Sequence, residues 1–335
     1  MGSYFFLGFA LPSAIIRSED FPVNSLVPNR ALLILLASFL LLVTACTKQN
    51  APPTAKRGQA SVATDPQAGV KADVLVGAGD IADCTEIEGA QATAKLLDDI
   101  PGTIFAAGDL ADPDGTSEEF NDCYGPTWGR FKARTRPSPG NHEYHIGGAS
   151  PYFQYFGAAA GDSGKGWYSY DLAGWHIVVI NSDCSDVGCG AGSEQERWLR
   201  QDLAADHAAC TLAYWHHPLF TSGHHGNDRA LKPIWQDLYD AHADVVLNGH
   251  DHDYERFAPQ DPDGRPDPVH GIREFVVGTG GRHQRPFQTP LATSEIRNTG
   301  TYGVLKLALR PTGYDWEFIP VAGQAFTDKG SGACH

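Results

Sequence analysis

The stretch "ADVVLNGHDHDYER", residues 243–256, decides the fold. An apolar run of strand type stops at Asn248, and His250 and His252 follow at once with Asp251 between them. A solvated loop has no need of titratable groups crowded so tightly. The same grammar recurs upstream in "DVLVGAGD" (73–80), "GTIFAAGD" (102–109), "WHIVVINSD" (175–183) and "TLAYWHH" (211–217). Continuous apolar runs of this kind predict strands of a sheet covered on at least one face. Helical patterns lie between them, as in "GAQATAKLLDDI" (89–100) and "GSEQERWLRQDL" (192–203), the second opened by a Ser193/Glu196 capping box. The last third has a different pattern, with little helical periodicity. There "IREFVVGTG" (272–280), "TYGVLKLALR" (301–310) and "GYDWEFIPV" (313–321) read as strands with turns between them, in antiparallel pairs or a second sheet.

The polar residues sit after strand C-termini, the edge at which α/β sheets bind ligands, so they should converge on one cleft. In order they are Asp80 in "GAGD", Asp109 in "AAGD", Asn141 and His142 in "GNHEY", His216 in "YWHHP", and His250 and His252 in "GHDH". One aspartate after a strand is usually a cap. A whole series of such ends, offering carboxylate, amide and imidazole, points instead to a metal site. The mixture of oxygen and nitrogen donors suits iron, manganese or zinc rather than calcium, and using every donor requires two ions.

From about Val74 to Gly281 the chain resembles the calcineurin-like metallophosphoesterases, and within them most the purple acid phosphatases and their bacterial relatives. An Asp motif, Gly-Asp, Gly-Asn-His-Glu, a lone His and Gly-His-x-His follow in the family's order. The resemblance implies an α/β fold, a four-layer αββα sandwich with the metals at the sheet edge. It implies that Asp80 and His252 bind metal one, that Asp109 bridges both ions, and that Asn141, His216 and His250 bind metal two. His142 would lie beside the substrate. The implied reaction is hydrolysis of phosphate monoesters by a metal-bridged hydroxide, with phosphodiester hydrolysis, or a metal-binding lipoprotein without turnover, as the alternatives.

The pattern breaks at metal one. Purple acid phosphatases have Gly-Asp-x-x-Tyr, whereas "GDLAD" places Asp112 at the tyrosine position; other members have a His two residues after the first Asp, where this chain has Ala82. Three readings of the break stand. Asp112 binds metal one in the tyrosine's place, or it orients His142 as the second Asp of Gly-Asp-x-x-Asp does in protein serine/threonine phosphatases, or metal one is weakly held. His224 and His225 in "TSGHHGND", together with His145 and Tyr254, are candidate substrate contacts, with Arg256 as a further wall residue. Glu143 reads as a brace for the "GNHEY" loop, and His176 and His242 as structural.

The formal charge of −15, with no lysine/arginine cluster, argues against a nucleic-acid partner. A small phosphoester must then be drawn in by local positive charge, such as the metals. At the N-terminus Arg30 precedes "ALLILLASFLLLVTA" (31–45), shorter than the roughly 20 residues of a membrane span and right for a signal peptide. "VTAC" resembles a lipobox, which implies cleavage after Ala45, lipidation of Cys46 and a bacterial lipoprotein at the membrane of the periplasm or cell surface. The acidic residues of "RSED" (17–20) fit such a signal poorly and suggest a start near Leu26 or Val27. The expected organisation is an extension and signal over 1–45, a lipidated cysteine and Ala/Pro/Gln-rich tether over 46–72, and the phosphoesterase domain over 73–335. Six cysteines remain beyond Cys46, enough for three disulfides in an oxidising compartment. Six cysteines allow 15 pairings; the preferred set is Cys84–Cys123, Cys184–Cys189 and Cys210–Cys334.

Overall fold

The computed structural model describes residues 72–335; the signal, Cys46 and the tether up to Lys71 lie outside the described residues. Along the chain the strands run β1 (Asp73–Ala78), β2 (Ala82–Asp83), β3 (Thr103–Ala107), β4 (Ala111–Asp112), β5 (Thr135–Ser138), β6 (Tyr168–Leu172) and β7 (Trp175–Val179). They continue with β8 (Cys210–Tyr214), β9 (Val245–Asn248), β10 (Tyr254–Phe257) and β11 (Arg273–Val277). The last are β12 (Ser294–Asn298), β13 (Gly303–Arg310), β14 (Gly313–Pro320) and β15 (Lys329–Ala333). One sheet has the order β15-β14-β13-β1-β3-β5 and the other β12-β10-β11-β9-β8-β7-β6. The first sheet is parallel over β1-β3-β5, which form one side of it, and the second is parallel over its central β7-β8-β9-β11; the other pairs, β6-β7 included, are antiparallel.

The pleat explains why these runs are apolar throughout. Leu212, Tyr214, Val245, Leu247, Phe275 and Val277 belong to the core that also takes in the first sheet. Their neighbours Ala213, Val246 and Val276 turn the other way, onto Leu199, Ile234, Trp235 and Leu238 of the helices Glu194–Ala205 and Lys232–Asp240. Period-two side-chain direction with both faces covered leaves few polar positions in the strands, and one that remains, Glu274 of β11, is buried against the Gln260 amide. The two sheets are joined by aromatic pairs, Phe105 with Tyr214 at 5.8 Å and Phe275 with Trp316 at 5.7 Å. The Tyr214 hydroxyl also donates across the gap to the Arg136 carbonyl at 2.8 Å. With the helix Glu88–Asp99 contributing Ala90, Ala94 and Leu97 to the first core, the layering is the expected αββα sandwich.

The helix Glu194–Ala205 starts where the capping signal places it, with one difference. The Ser193 hydroxyl accepts the Glu196 N–H at 3.2 Å, but the Glu196 carboxylate accepts the Gly192 N–H at 2.9 Å rather than that of Ser193. The disulfides are Cys84–Cys123, Cys184–Cys189 and Cys210–Cys334, the preferred pairing.

Candidate metal centre

The loops that leave β1, β3, β5, β8 and β9 carry the polar residues to one edge of the sandwich. Asp80, Asp109 and His250 take φ of 58°, 52° and 71°. Left-handed backbone is uncommon for residues with a Cβ, and Asp and His are among those that tolerate it best. It turns each chain sharply at the strand end, so the side chain faces back over the sheet edge. Glycines make the room. A Cβ on Gly108, at φ 75°, would lie 2.5 Å from the His216 ring, and one on Gly140 would lie 2.3 Å from Asp109 Oδ1. That is why glycine precedes both Asp109 and Asn141.

The Asp109 carboxylate stands at the centre, 2% exposed. Its Oδ2 is 3.0 Å from His216 Nε2 and 3.7 Å from His142 Nε2, while its Oδ1 accepts the His142 backbone N–H at 3.0 Å. Asn141 Oδ1 and His250 Nδ1 each lie 3.2 Å from His216 Nε2. On the other side Asp80 Oδ1 is 3.3 Å from His252 Nε2, and Asp80 Oδ2 accepts the His250 N–H at 2.8 Å. Ligand atoms of Asp80, Asp109 and His216 all fall within 4.8 Å of one another. Asp109 therefore stands between an Asp80/His252 group and an Asn141/His216/His250 group.

Backbone carbonyls fix which imidazole nitrogens face inward. His216 Nδ1 donates to the Ala107 carbonyl at 2.9 Å and His252 Nδ1 to the His283 carbonyl at 2.8 Å. The Nε2 lone pairs of both rings are thereby aimed at carboxylates, the arrangement of a metal-binding imidazole held from behind. Buried lone pairs facing one another repel unless a cation lies among them, and Asp80 Oδ1 is buried with no hydrogen-bond partner among the described residues. The electrostatics point the same way. Burial works against a charged His216, yet Asp109 and Asp80 outweigh it and raise His216 to about 10. Burial, His216 and His217 push His250 far down. Two nitrogens 3.2 Å apart with opposite shifts mark a place for one positive charge between them, and metal ions fit this donor set.

Beside this cluster, His142 Nδ1 lies 2.9 Å from Asp112 Oδ1 and also faces the Pro113 carbonyl. Burial opposes charge on His142, but Asp112 and Asp109 prevail and raise it to about 10. Glu143 is fully buried and accepts the backbone N–H groups of Asp109, Leu110, Ala111 and Gly140 at 2.8–3.4 Å. It is the brace its sequence position suggests, tying the "GDLAD" loop to the "GNHEY" loop.

Among the candidate substrate contacts, the exposed His225 lies over the site, its ring 4.4 Å from that of His250 and 5.9 Å from that of His252. His224 stands one step out, 5.4 Å from His225. His145 is exposed, 4.8 Å from the His142 ring, and pairs with Asp114 at 3.1 Å. Tyr254 is a correction. It opens β10, where the pleat turns its ring into the inter-sheet core against Phe318 and Phe326, and its hydroxyl donates to Asp328 at 2.8 Å. Arg256 likewise serves Asp328 and Glu295 and does not line the cleft. His217, shared between Ser182 and the ring of His250, is a supporting residue. Arg285, whose N–H donates to the His252 carbonyl, lies outside every motif that marked the site in the sequence.

A model of the calcineurin-like phosphoesterases matches residues 62–254. The chain belongs to the calcineurin-like phosphoesterase family. Among its relatives, purple acid phosphatase 15 of Arabidopsis thaliana is 27% identical over 57% of this chain and 42% of its own length. Purple acid phosphatase 21 of the same plant is 30% identical over 62% of this chain and 52% of its own length. The chain thus spans about half the length of these relatives. In fold it resembles purple acid phosphatase PPD1 from yellow lupin seeds, with a TM-score of 0.63 at 18% identity over 77% of this chain and 53% of that one. It also resembles GAP50, the anchor in the inner membrane complex of Plasmodium, with a TM-score of 0.59 at 14% identity over 77% and 88%. Members of this phosphoesterase family cleave phosphoesters with the help of bound metal ions.

Proposed function

We propose that the protein is an exported phosphatase that hydrolyses phosphate monoesters with two metal ions. The observation that carries this reading is the central carboxylate of Asp109, flanked on one side by Asp80 and His252 and on the other by Asn141, His216 and His250. Asp80, Asp109 and His252 would hold metal one, and Asp109, Asn141, His216 and His250 metal two. When bound, two cations acidify a shared water and neutralise phosphate oxygens, which lets a chain of charge −15 accept an anion.

The protein's own groups set the rest. Asp112 orients His142 rather than serving metal one; the 2.9 Å contact to Nδ1 supports this, and it leaves Nε2 aimed toward the Asp109 side. His142 holds a proton at that Nε2, where it can hydrogen-bond a phosphate oxygen or pass the proton to the departing alkoxide. His225 and His145 stand at the rim as further contacts. Metal one then has three side chains of this chain and no tyrosine, so the protein would not be purple even with iron bound.

Export is supported by the pairing of every described cysteine into a disulfide. No helix among the described residues is long and apolar enough to cross a membrane. The anchor in this reading is lipid on Cys46. The test is metal analysis of protein purified without chelator, together with hydrolysis of p-nitrophenyl phosphate and its bis ester. Two metals and turnover of the monoester alone are expected. Preference for the bis ester would make it a diesterase, and two metals without turnover of either would leave only a metal-binding protein.

A further inference from the structure

The segment "GTGGRHQRP" (278–286) carries two arginines with opposite fates. Arg282 is neutralised, its Nη1 2.7 Å from Asp83 Oδ2 and its Nε 3.7 Å from Asp112 Oδ2. Arg285 has no carboxylate in ion-pair range among the described residues, and its Nε is shielded from solvent without a hydrogen-bond partner. A partly buried guanidinium left without a counter-charge is costly, and in a chain with 40 acidic residues against 25 basic ones it is unexpected.

Its position is fixed from several sides. The Arg285 N–H donates to the His252 carbonyl at 3.2 Å, and Thr299 Oγ1 donates to the Arg285 carbonyl at 3.0 Å. Farther along the same strap, Gln288 N–H donates to the Ser222 carbonyl at 2.8 Å and its side-chain amide to the His224 carbonyl at 2.6 Å. Arg285 is thus tied to the metal-one histidine loop and, through the strap, to the loop that presents His225. A cation carried on a tethered backbone therefore stands at the metal-one rim, outside the donor set that would engage the reacting phosphate.

We propose that Arg285, with His225 beside it, forms a subsite for a second phosphate group of the substrate, and so determines specificity for sugar or nucleoside bisphosphates over monophosphates. The guanidinium fork matches two phosphate oxygens, and the incoming group supplies the counter-charge that the fold withholds. The metals act on one phosphate; Arg285 reads the other. This inference rests on the phosphatase reading above and is tested so that the two can fail separately.

The experiment compares glucose 6-phosphate with glucose 1,6-bisphosphate on the full metal-loaded chain, by turnover and by calorimetric binding, in wild type, Arg285→Gln and Arg285→Lys. Wild type is expected to favour the bisphosphate. Arg285→Gln should weaken affinity for the bisphosphate and raise its KM by about 10- to 100-fold, the worth of hydrogen bonds to a charged group, with little change for the monophosphate or in kcat. Arg285→Lys should recover part of the loss, which a merely misfolded Gln variant could not explain. Equal losses on both sugars, or none, would overturn the subsite. If wild type turns over neither sugar nor p-nitrophenyl phosphate, the phosphatase reading falls, and the calorimetric ratio still decides Arg285: unchanged discrimination in Arg285→Gln sinks it.

Discussion

Asp112 is the residue on which two chemistries diverge. On the reading proposed above, its carboxylate, 1% exposed and with Oδ1 2.9 Å from His142 Nδ1, serves the imidazole rather than a cation near Asp80. Asp112→Asn should therefore leave the metal content unchanged and lower kcat by about 10- to 100-fold, the usual cost of losing a group that orients an active-site histidine. Metal analysis beside steady-state kinetics checks it; loss of one ion per chain would instead make Asp112 a metal-one ligand. Glu143 acts on structure. Glu143→Ala would strand the N–H groups of Asp109, Leu110, Ala111 and Gly140 in a buried site, and at about 1–3 kcal/mol for each unsatisfied group the loss should exceed about 3 kcal/mol. Denaturant titration of the variant measures that, and a loss under about 1 kcal/mol would mean the backbone finds other partners.

At the scale of elements, strands and their polar ends were legible because each apolar run stops where chemistry starts, as at Asn248 before His250. Sheet order was not legible, since β13 pairing with β1 joins segments more than 200 residues apart that share no local signal. Tyr254 was misread for a related reason. Nearness to His252 in sequence says nothing about which face a new strand presents, and β10 turns it inward. His176, read as structural, links β7 to the helix Glu194–Ala205 with Nε2 2.8 Å from Asp202 and Nδ1 3.4 Å and 3.6 Å from Asp171 and Asp206. Burial disfavours its charged form, but the three carboxylates prevail and raise its folded value above the unfolded one. The stabilisation is thus fully present below the unfolded value, about 6.5, and is lost as pH rises through the higher folded value. Comparing unfolding midpoints of wild type and His176→Gln from about pH 5.5 to about pH 9.5 should show the gap closing with rising pH. A gap independent of pH would mean that packing, not charge, is what His176 supplies.

For the whole molecule, the acidic balance argued against nucleic acid but hid a cation without a counter-charge among the described residues, because net charge averages over the local exception at Arg285. The disulfides distribute differently. Cys210–Cys334 closes 124 residues and ties the end of the chain to the start of β8, Cys84–Cys123 closes 39, and Cys184–Cys189 only 5. If each acts mainly by restricting the unfolded chain, removal should cost about 5, 4 and 2 kcal/mol respectively. Function should not follow the same order. Cys84 directly follows Asp83, the partner of Arg282, and its N–H donates to the Asp112 carbonyl at 3.2 Å, whereas Cys210 lies at the start of β8, the end of that strand opposite His216. Paired Cys→Ser variants should therefore rank one way in thermal midpoint and another in turnover: Cys210/Cys334 loses most stability, Cys84/Cys123 most activity. Parallel losses in both measurements would mean that the loop behind Asp112 is held by the sandwich as a whole, and that the Cys84 bond contributes stability alone.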